Sequence, residues 1–215
     1  MTLVERLHAP GPLYSGLMMI PDPSVAAVLG NCGLDFVTVD GDHGEYTPDG
    51  LRACVAALKA VPTCVVVRTR SNADDDVRQV LELGVDGVLV PRVETAEQTA
   101  GLVRMADGAA TIVILESRLG IQNAASIADV AGLDGIISGP SDLSHDLGVP
   151  GEIKHPTVRD AIEEVTAIAL AAGLKASLWR EPHSDAERDG MLVFVFADVM
   201  LLADAAKSAV DAARG

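Results

Sequence analysis

The sequence predicts one domain, a (β/α)8 barrel or TIM barrel, over residues 1–215. Eight short apolar runs recur along the chain, and each is continuously apolar rather than alternating. Strands that are buried on both faces of a parallel sheet have this pattern. Helical patterns lie between the runs, and eight β–α alternations in one chain are typical of this barrel. A doubly wound sheet is the alternative architecture, but the chain lacks the dinucleotide-binding fingerprint that would favour it.

The apolar runs give the predicted strands, and the segments between them give the predicted helices. The strands in chain order are 15–20 (SGLMMI), 35–40 (DFVTVD), 63–68 (TCVVVR), 87–91 (GVLVP), 111–116 (TIVILE), 135–139 (GIISG), 175–179 (KASLW) and 192–197 (LVFVFA). The helical segments include PSVAAVLGNCG, LRACVAALKAV, DDVRQVLELG, TAEQTAGLVRMA, AASIADVAG, HPTVRDAIEEVTAIALAAG and ADAAKSAVDAAR. Thr95 and Asp74 are expected to cap helix N-termini. Four glycines before strands are expected to end helices: Gly33, Gly84, Gly132 and Gly173.

Composition and charge exclude several classes of function. The chain is 49% hydrophobic and 22% charged, which is typical of a globular protein. Its formal charge of −15 would repel nucleic acid and anionic lipid, so we expect neither as a partner. An anionic substrate would therefore need a local cation, either an arginine or a metal ion.

The cysteines and the apolar runs indicate a cytoplasmic protein. Cys32, Cys54 and Cys64 are three in number and form no CxxC pair, so a disulfide framework or a zinc site is not expected. The first residues lack the apolar stretch of a signal peptide. No run approaches the roughly 20 apolar residues that a membrane-spanning helix needs.

Polar side chains follow the predicted strands where the strands end. Catalytic residues of a (β/α)8 barrel lie at this end of the strands, so we expect these side chains to converge at one rim. They are Asp40, Asp42 and His43 after strand 2, Arg68 at strand 3, Arg92 after strand 4, Glu116 at strand 5, Asp142 after strand 6, and Trp179 and Arg180 at strand 7.

Glu116 and Asp142 are candidate ligands of a metal ion. Two carboxylates at neighbouring strand ends, with further positions left to water and substrate oxygens, suit Mg²⁺ or Mn²⁺. The alternative for Glu116 is a helix cap or an ion pair with Arg118. The alternative for Asp142 is the N-cap of the helix that follows.

Arg68, Asp40 and His43 are candidates for substrate binding and proton transfer. An arginine at a strand end offers a bidentate partner to a carboxylate or an enolate; the alternative is a salt bridge to the acidic run 74–76. Asp40 stands three residues before His43, and a carboxylate that fixes the tautomer of an imidazole makes it a general base. The alternative for His43 is an ordinary loop histidine.

Other residues are assigned no catalytic part. His145 and His155 are expected to be structural, and His8 and His183 to be solvated. Lys59 and Lys175 stand at the N-terminal sides of strands, which disfavours a Schiff-base aldolase. The chain has no Walker A, GxSxG or HExxH motif, so P-loop, serine esterase and zincin chemistry have no support.

Five segments together resemble the HpcH/HpaI aldolase and citrate lyase superfamily. The segments are DFVTVDGDHG, VVVR, GVDGVLVPRVETAEQ, ILESRLGIQN and DGIISGPSDLSHDLG, which occur in the order of the family and cover roughly residues 15–205. They are most similar to the metal-dependent class II pyruvate aldolases. The resemblance implies a (β/α)8 barrel in a homo-oligomer that exchanges the last helix between subunits, with a trimer of dimers as one such assembly.

The resemblance also implies roles for particular residues. Glu116 and Asp142 would bind Mg²⁺, or Mn²⁺ or Co²⁺. Arg68 would hold the pyruvate carbonyl and enolate oxygen, and Asp40 and His43 would form the acid–base dyad. The turn that contains Gly139, Pro140 and Ser141 would bind the pyruvate carboxylate through backbone N–H groups. Glu82 falls where the family often has an acidic residue at a subunit contact.

Three features depart from the pyruvate aldolase pattern. Asp42 replaces the usual glutamate before His43, and Ile114 replaces a glutamine two residues before Glu116. The connection between strands 4 and 5 is short, as in citrate lyase-type members, although those normally lack the histidine after the strand-2 acid. The leading hypothesis is a metal-dependent carbon–carbon lyase that acts on a 4-hydroxy-2-oxo acid. The alternatives are a CoA-thioester lyase or citrate-synthase-like enzyme on the same scaffold, and a non-catalytic protein that binds an α-keto acid.

Overall fold

The computed structural model describes residues 1–178 and 189–214 and contains a closed barrel of eight parallel strands. Each strand pairs with the next along the chain, and β8 returns to β1 to close the barrel, with Leu13 opposite Leu192. Helices connect the successive strands from β1 to β7, as the apolar rhythm of the sequence predicts. The prediction of a (β/α)8 barrel is therefore confirmed.

The strands lie within two residues of their predicted bounds. They are β1 (Leu13–Met18), β2 (Phe36–Asp40), β3 (Cys64–Arg68), β4 (Gly87–Val90), β5 (Ala110–Leu115), β6 (Gly135–Ser138), β7 (Lys175–Leu178) and β8 (Met191–Ala197). The helices are α1 (Leu3–Leu7), α2 (Pro23–Gly30), α3 (Pro48–Lys59), α4 (Asp74–Leu81), α5 (Ala96–Ala106), α6 (Arg118–Gln122), α7 (Ala124–Ala128), α8 (Pro140–Asp146), α9 (Pro156–Ala171) and α10 (Asp198–Arg214).

Alternate residues of each strand belong to two separate apolar clusters. In β3, Val65 and Val67 pack with side chains from the surrounding helices, whereas Val66 belongs to the cluster that contains Leu3 and Leu7 of α1. Because successive strand residues point to opposite faces of a sheet, the first cluster lies outside the barrel and the second lies inside it. Helix α1 thus covers one end of the interior and leaves the other end for a site.

The helix ends show which sequence signals were read correctly. Thr95 caps α5 by accepting from the Gln98 N–H, as predicted. The prediction for Asp74 is wrong, since Ala73 is the N-cap of α4 and Asp74 is its first residue. Asp74 still suits this turn because the helix dipole favours acidic side chains there. The predicted C-cap glycines all have positive φ angles, the conformation that glycine adopts without steric cost: Gly33 (80°), Gly84 (68°), Gly132 (89°) and Gly173 (76°).

The histidine and lysine predictions have mixed outcomes. His155 caps α9, as a structural residue should. His8, expected to be solvated, is half exposed but lies 2.9 Å from the buried carboxylate of Asp134. Lys175 begins β7 and donates to the carbonyls of Ala9 and Gly11, which places it at the end opposite the predicted site.

Trp179, Arg180 and His183, which the sequence places at and after strand 7, lie outside the described residues. In the part of the chain that is described, no helix is both long enough and apolar enough to cross a lipid bilayer.

Candidate active site

A cavity of about 550 Å³ opens at the carboxyl ends of the strands. Asp42 and Arg92, which the sequence also places at this rim, are not among the described residues that line the cavity. The structure does bring together around it all the residues that the sequence assigns to catalysis, substrate binding and metal binding. These are Asp40, His43, Arg68, Glu116, Gly139, Pro140, Ser141 and Asp142. Parallel strands that close into a barrel place all their carboxyl ends on one rim, which is why residues 100 positions apart in sequence meet here.

Glu116 follows β5 directly, and its side chain is buried, with only 6% of its surface exposed. Its Oε1 atom accepts a hydrogen bond from the backbone N–H of Arg92 at 2.9 Å. Its other oxygen lies against Gly139, where the Cβ atom of any larger residue would overlap Oε2. The end of β6 can therefore lie this close to the Glu116 carboxylate only because residue 139 is a glycine.

The pKa of Glu116 is raised to about 7, first by burial and second by the neighbouring carboxylate of Asp142. The hydrogen bond from the Arg92 backbone and the charges of Arg92 and Arg68 oppose the shift without cancelling it. A carboxylate that loses hydration is harder to ionise, and a second negative charge nearby adds to the cost. A positive charge would therefore be stabilised next to the carboxylates of Glu116 and Asp142.

The donor set fits a hard divalent cation. Among residues 1–178 and 189–214, no group of three or more His, Cys, Asp and Glu side chains is placed to hold a metal, so the described part of the chain supplies two carboxylates here. Mg²⁺ and Mn²⁺ bind in this way, through one or two carboxylates with the remaining positions filled by water and substrate oxygens. A structural zinc site would need thiolate or imidazole ligands.

The alternative explanations of these two acids do not match the geometry. Ser117, not Glu116, is the N-cap of α6. Arg118, the alternative ion-pair partner of Glu116, donates instead to the carbonyl of Asp146 at 3.2 Å. Gly139 is the N-cap of α8, and Asp142 lies inside the first turn of that helix rather than capping it. Both acids are thus free to face the cavity that they line.

Arg68 is held by Asp40 in a bidentate ion pair. The Nε and Nη2 atoms of Arg68 donate to the two oxygens of Asp40, each at 2.7 Å, and Asp40 is fully buried. In the run 74–76, the alternative partner of Arg68, Asp76 accepts instead from Arg70 at 2.7 Å. Two parallel hydrogen bonds fix the plane of the guanidinium as well as its position.

Asp40 also organises the loop that carries His43. Its Oδ1 atom accepts from the backbone N–H groups of Asp42 at 3.2 Å and of His43 at 3.1 Å. The His43 side chain is exposed and lines the cavity. The contact between Asp40 and His43 is therefore a main-chain contact, and the predicted pairing of their side chains stays a prediction.

The remaining wall of the cavity is apolar apart from Asp204, and of its residues the sequence analysis relates only Ile114 to the site. Strands β1, β4, β5, β6 and β8 and helix α10 supply it, including Ile114, whose place on the floor follows from its position at the top of the barrel interior. The strand-end rule could have found the β8 residues, but apolar side chains give no chemical signal in a sequence. These residues are Leu17, Met19, Leu89, Ile114, Ile137, Phe194, Val195, Phe196, Ala197, Met200 and Leu201.

Comparisons with known proteins identify the family of the chain. The family model described as HpcH/HpaI aldolase/citrate lyase matches residues 18–187. A hydroxypyruvate/pyruvate aldolase of Chromohalobacter salexigens is 32% identical over 88% of this chain and 89% of its own. A 4-hydroxy-2-oxo-heptane-1,7-dioate aldolase of Salmonella dublin is 28% identical over 95% and 91% of the two chains. A solved HpcH/HpaI aldolase/citrate lyase family protein from Burkholderia cenocepacia J2315 superposes with a TM-score of 0.90, at 25% identity and over 99% of each chain.

These relatives decide between the hypotheses drawn from the sequence. Named aldolases match over most of the chain, so the prediction of a carbon–carbon lyase is confirmed. The CoA-thioester or citrate-synthase-like enzyme and the non-catalytic binder are not favoured. The resemblance read from five short segments is confirmed as well, and the chain belongs to the HpcH/HpaI aldolase/citrate lyase family.

Proposed function

We propose that the protein is a divalent-metal-dependent aldolase that cleaves or forms a 4-hydroxy-2-oxo acid through a pyruvate enolate. The observation that carries this proposal is the buried Glu116 carboxylate beside Asp142, with Arg68 lining the same cavity. The relatives are named as aldolases of pyruvate, hydroxypyruvate or a hydroxy-oxo acid. These names support an α-keto acid as the small-molecule substrate.

Glu116 and Asp142 would hold the cation, with Mg²⁺, Mn²⁺ or Co²⁺ as the candidates. When bound, the cation supplies the Lewis acid that polarises the keto oxygen and stabilises the charge of the enolate. The proton on a carbon next to a ketone is hard to remove in water, so stabilising the enolate is the main demand of the reaction. The two carboxylates would meet that demand by fixing the cation in the cavity that they line.

Arg68 supplies a second positive group at the same oxygen. Its Nε and Nη2 atoms are engaged by Asp40, which leaves the Nη1 donors for a substrate oxygen. Because Asp40 fixes the guanidinium before substrate arrives, little conformational entropy is lost on binding. The turn Gly139–Ser141 is assigned to the carboxylate of the α-keto acid, through the N–H group of Ser141, since the N–H of Gly139 donates to the carbonyl of Leu115 at 3.3 Å.

His43 is assigned the proton transfer. In cleavage, its imidazole takes the proton of the C4 hydroxyl as the C3–C4 bond breaks to give the aldehyde and the enolate. In the reverse direction, it returns that proton to the aldehyde oxygen as the bond forms. The side chain lines the cavity from a loop that Asp40 holds through two backbone N–H groups.

Removing the metal, or the charge of Glu116, should abolish turnover. We expect EDTA, or the substitution Glu116→Gln, to lower pyruvate release from a 4-hydroxy-2-oxo acid by at least about 100-fold, because the amide cannot replace a charged ligand. The control is Glu97→Gln, the same change on the exposed face of α5, which should leave the rate unchanged. Unaltered turnover in chelator would reject the proposed function.

Metal affinity should depend on pH through Glu116. The pKa of this group is raised to about 7 in the metal-free protein, so its proton competes with the cation below that pH. We expect the apparent affinity for Mn²⁺, measured by calorimetry, to be constant above about pH 7.5 and to fall roughly tenfold per pH unit below about 6.5. An affinity that stays flat over this range would contradict the assignment.

In the metal-free protein, the contribution of Glu116 to folding stability changes with pH in the opposite direction to the metal affinity. A raised pKa favours the protonated side chain in the folded state, so the contribution of Glu116 to stability is present at acid pH. It is lost as the pH rises through about 7.

We also propose that the chain forms a homo-oligomer through α10. All residues from Val199 to Arg214 are exposed, including Met200 at 66% and Leu202 at 61%. A soluble monomer rarely leaves so much contiguous apolar surface in water. A second copy of the chain would cover this helix, and the exchange of the last helix that the family resemblance implies is one way to do so. Since Met200 and Leu201 also line the cavity, such a contact would lie beside the active site.

Light scattering tests the oligomer. We expect a mass that is a multiple of 22.3 kDa, and we expect Leu202→Asp to reduce it because the charge would be buried in the contact. Ser208→Asp introduces the same charge on a different face of α10 and serves as the control. A wild-type mass of one chain would contradict this proposal and leave the proposed chemistry untouched.

A further inference from the structure

Arg92 has a backbone conformation that arginine rarely adopts. It lies two residues after β4 with a φ angle of 55°, in the left-handed region. Within residues 1–178 and 189–214, Asp107, with φ of 44°, is the other non-glycine residue with a positive φ angle. Such a conformation costs free energy and persists when the surrounding contacts require it.

The contacts of Arg92 extend to the loops of three neighbouring strands. Its backbone N–H donates to Glu116 Oε1 at 2.9 Å, and its carbonyl accepts from Asn72 Nδ2 at 2.6 Å. Its Nη2 atom donates to the carbonyl of Arg70 at 2.6 Å and to Asp42 Oδ1 at 3.3 Å. One residue therefore joins the loops after β2, β3 and β4 to the end of β5.

The left-handed backbone makes this arrangement feasible. It turns the N–H of Arg92 towards Glu116 while the side chain runs back across the β3 loop towards Asp42. Asp42 is the neighbour of His43 in the chain, and Glu116 stands three strands away from both. The contacts of Arg92 alone therefore connect the loop of His43 to the buried carboxylate of Glu116.

We propose that Arg92 is a positioning residue that keeps the His43 loop in register with Glu116. The proposal rests on the roles assigned to His43 and Glu116 in the proposed function. Arg92 is not among the described residues that line the cavity, and 46% of its side chain is exposed, so it acts through its neighbours rather than on the substrate. Asp42 is its partner at the loop, and this contact accounts for the aspartate that replaces the usual glutamate before His43.

Two reactions of the same enolate separate this role from general support of the site. Cleavage of a 4-hydroxy-2-oxo acid needs both a stabilised enolate and a base aligned on the C4 hydroxyl. Decarboxylation of oxaloacetate forms the pyruvate enolate by loss of CO₂ and has no hydroxyl proton to remove. A variant that misplaces the His43 loop alone should therefore impair the first reaction more than the second.

Arg92→Gly is the test variant, because glycine keeps the left-handed backbone and the N–H bond to Glu116 while removing the guanidinium. We expect kcat for cleavage to fall about 10- to 100-fold, as small misalignments of a catalytic group do. Oxaloacetate decarboxylation and Mn²⁺ affinity should stay within about threefold of wild type. Asp107→Gly relieves the same backbone strain at an exposed residue between α5 and β5 and should change neither reaction.

Hydrogen exchange gives a readout that does not need catalysis. In Arg92→Gly, we expect the amides of residues 42–44 to exchange at least about tenfold faster, while those of residues 139–142 keep their wild-type rates. Asp42→Ala removes the same bridge from the loop side, leaves Arg92 in place, and should act in the same direction. If Arg92→Gly fails to fold, Asp42→Ala is the variant that tests the proposal.

Each outcome decides the proposal. Unchanged exchange at residues 42–44 overturns it, as does an equal fall in cleavage and decarboxylation. Faster exchange together with the selective loss of cleavage supports it. If the wild-type protein cleaves no hydroxy-oxo acid, the proposed function fails while the exchange data alone decide whether Arg92 holds the loop.

Discussion

The burial of Glu116 beside Asp142 is the constraint on which the rest of the site depends. A carboxylate with 6% of its surface exposed, next to a second one, is costly to ionise in the empty protein. A fold keeps such a pair when something positive compensates it, and a hard divalent cation does so with oxygen ligands alone. The raised pKa of Glu116 and the cation it is proposed to bind are two consequences of the same placement.

The neighbouring residues can be understood as maintaining that placement. Gly139 lets the β6 end approach Glu116 closely, since a side chain there would occupy the position of Oε2. The Arg68 guanidinium needs its own fixed partner if it is to face the cavity rather than fold onto the acids, and the two bonds from Asp40 provide it. The cavity floor is apolar, with Ile114 on it, so it offers water no hydrogen-bonding partners beside the charged groups. Electrostatic interactions are stronger where water is excluded.

Much of the fold could be read from the sequence, because strands buried on both faces must be apolar throughout and the loops between them need not be. The ends of those runs then located Asp40, Arg68, Glu116 and Asp142, since a parallel barrel brings its strand ends together whatever the distance along the chain. The partners of these residues could not be read in the same way. Asp40 and the run 74–76 are both acidic, and the run is much nearer to Arg68 in the sequence. Only the register of β2 with β3, which sets Asp40 opposite Arg68, selects Asp40 as the partner. The left-handed turn at Arg92 has no signal in composition or periodicity, and apolar lining residues such as Phe196 resemble any other core residue.

The central claim is that Glu116 and Asp142 bind one divalent cation together. The most direct measurement is the anomalous scattering of Mn²⁺ in crystals of the protein grown with Mn²⁺ and oxalate, a mimic of the pyruvate enolate. We expect a single strong peak within about 2.0–2.6 Å of a carboxylate oxygen from each of the two residues, with oxalate completing the coordination next to Arg68. A cation bound elsewhere, with the two carboxylates turned apart, would contradict this claim.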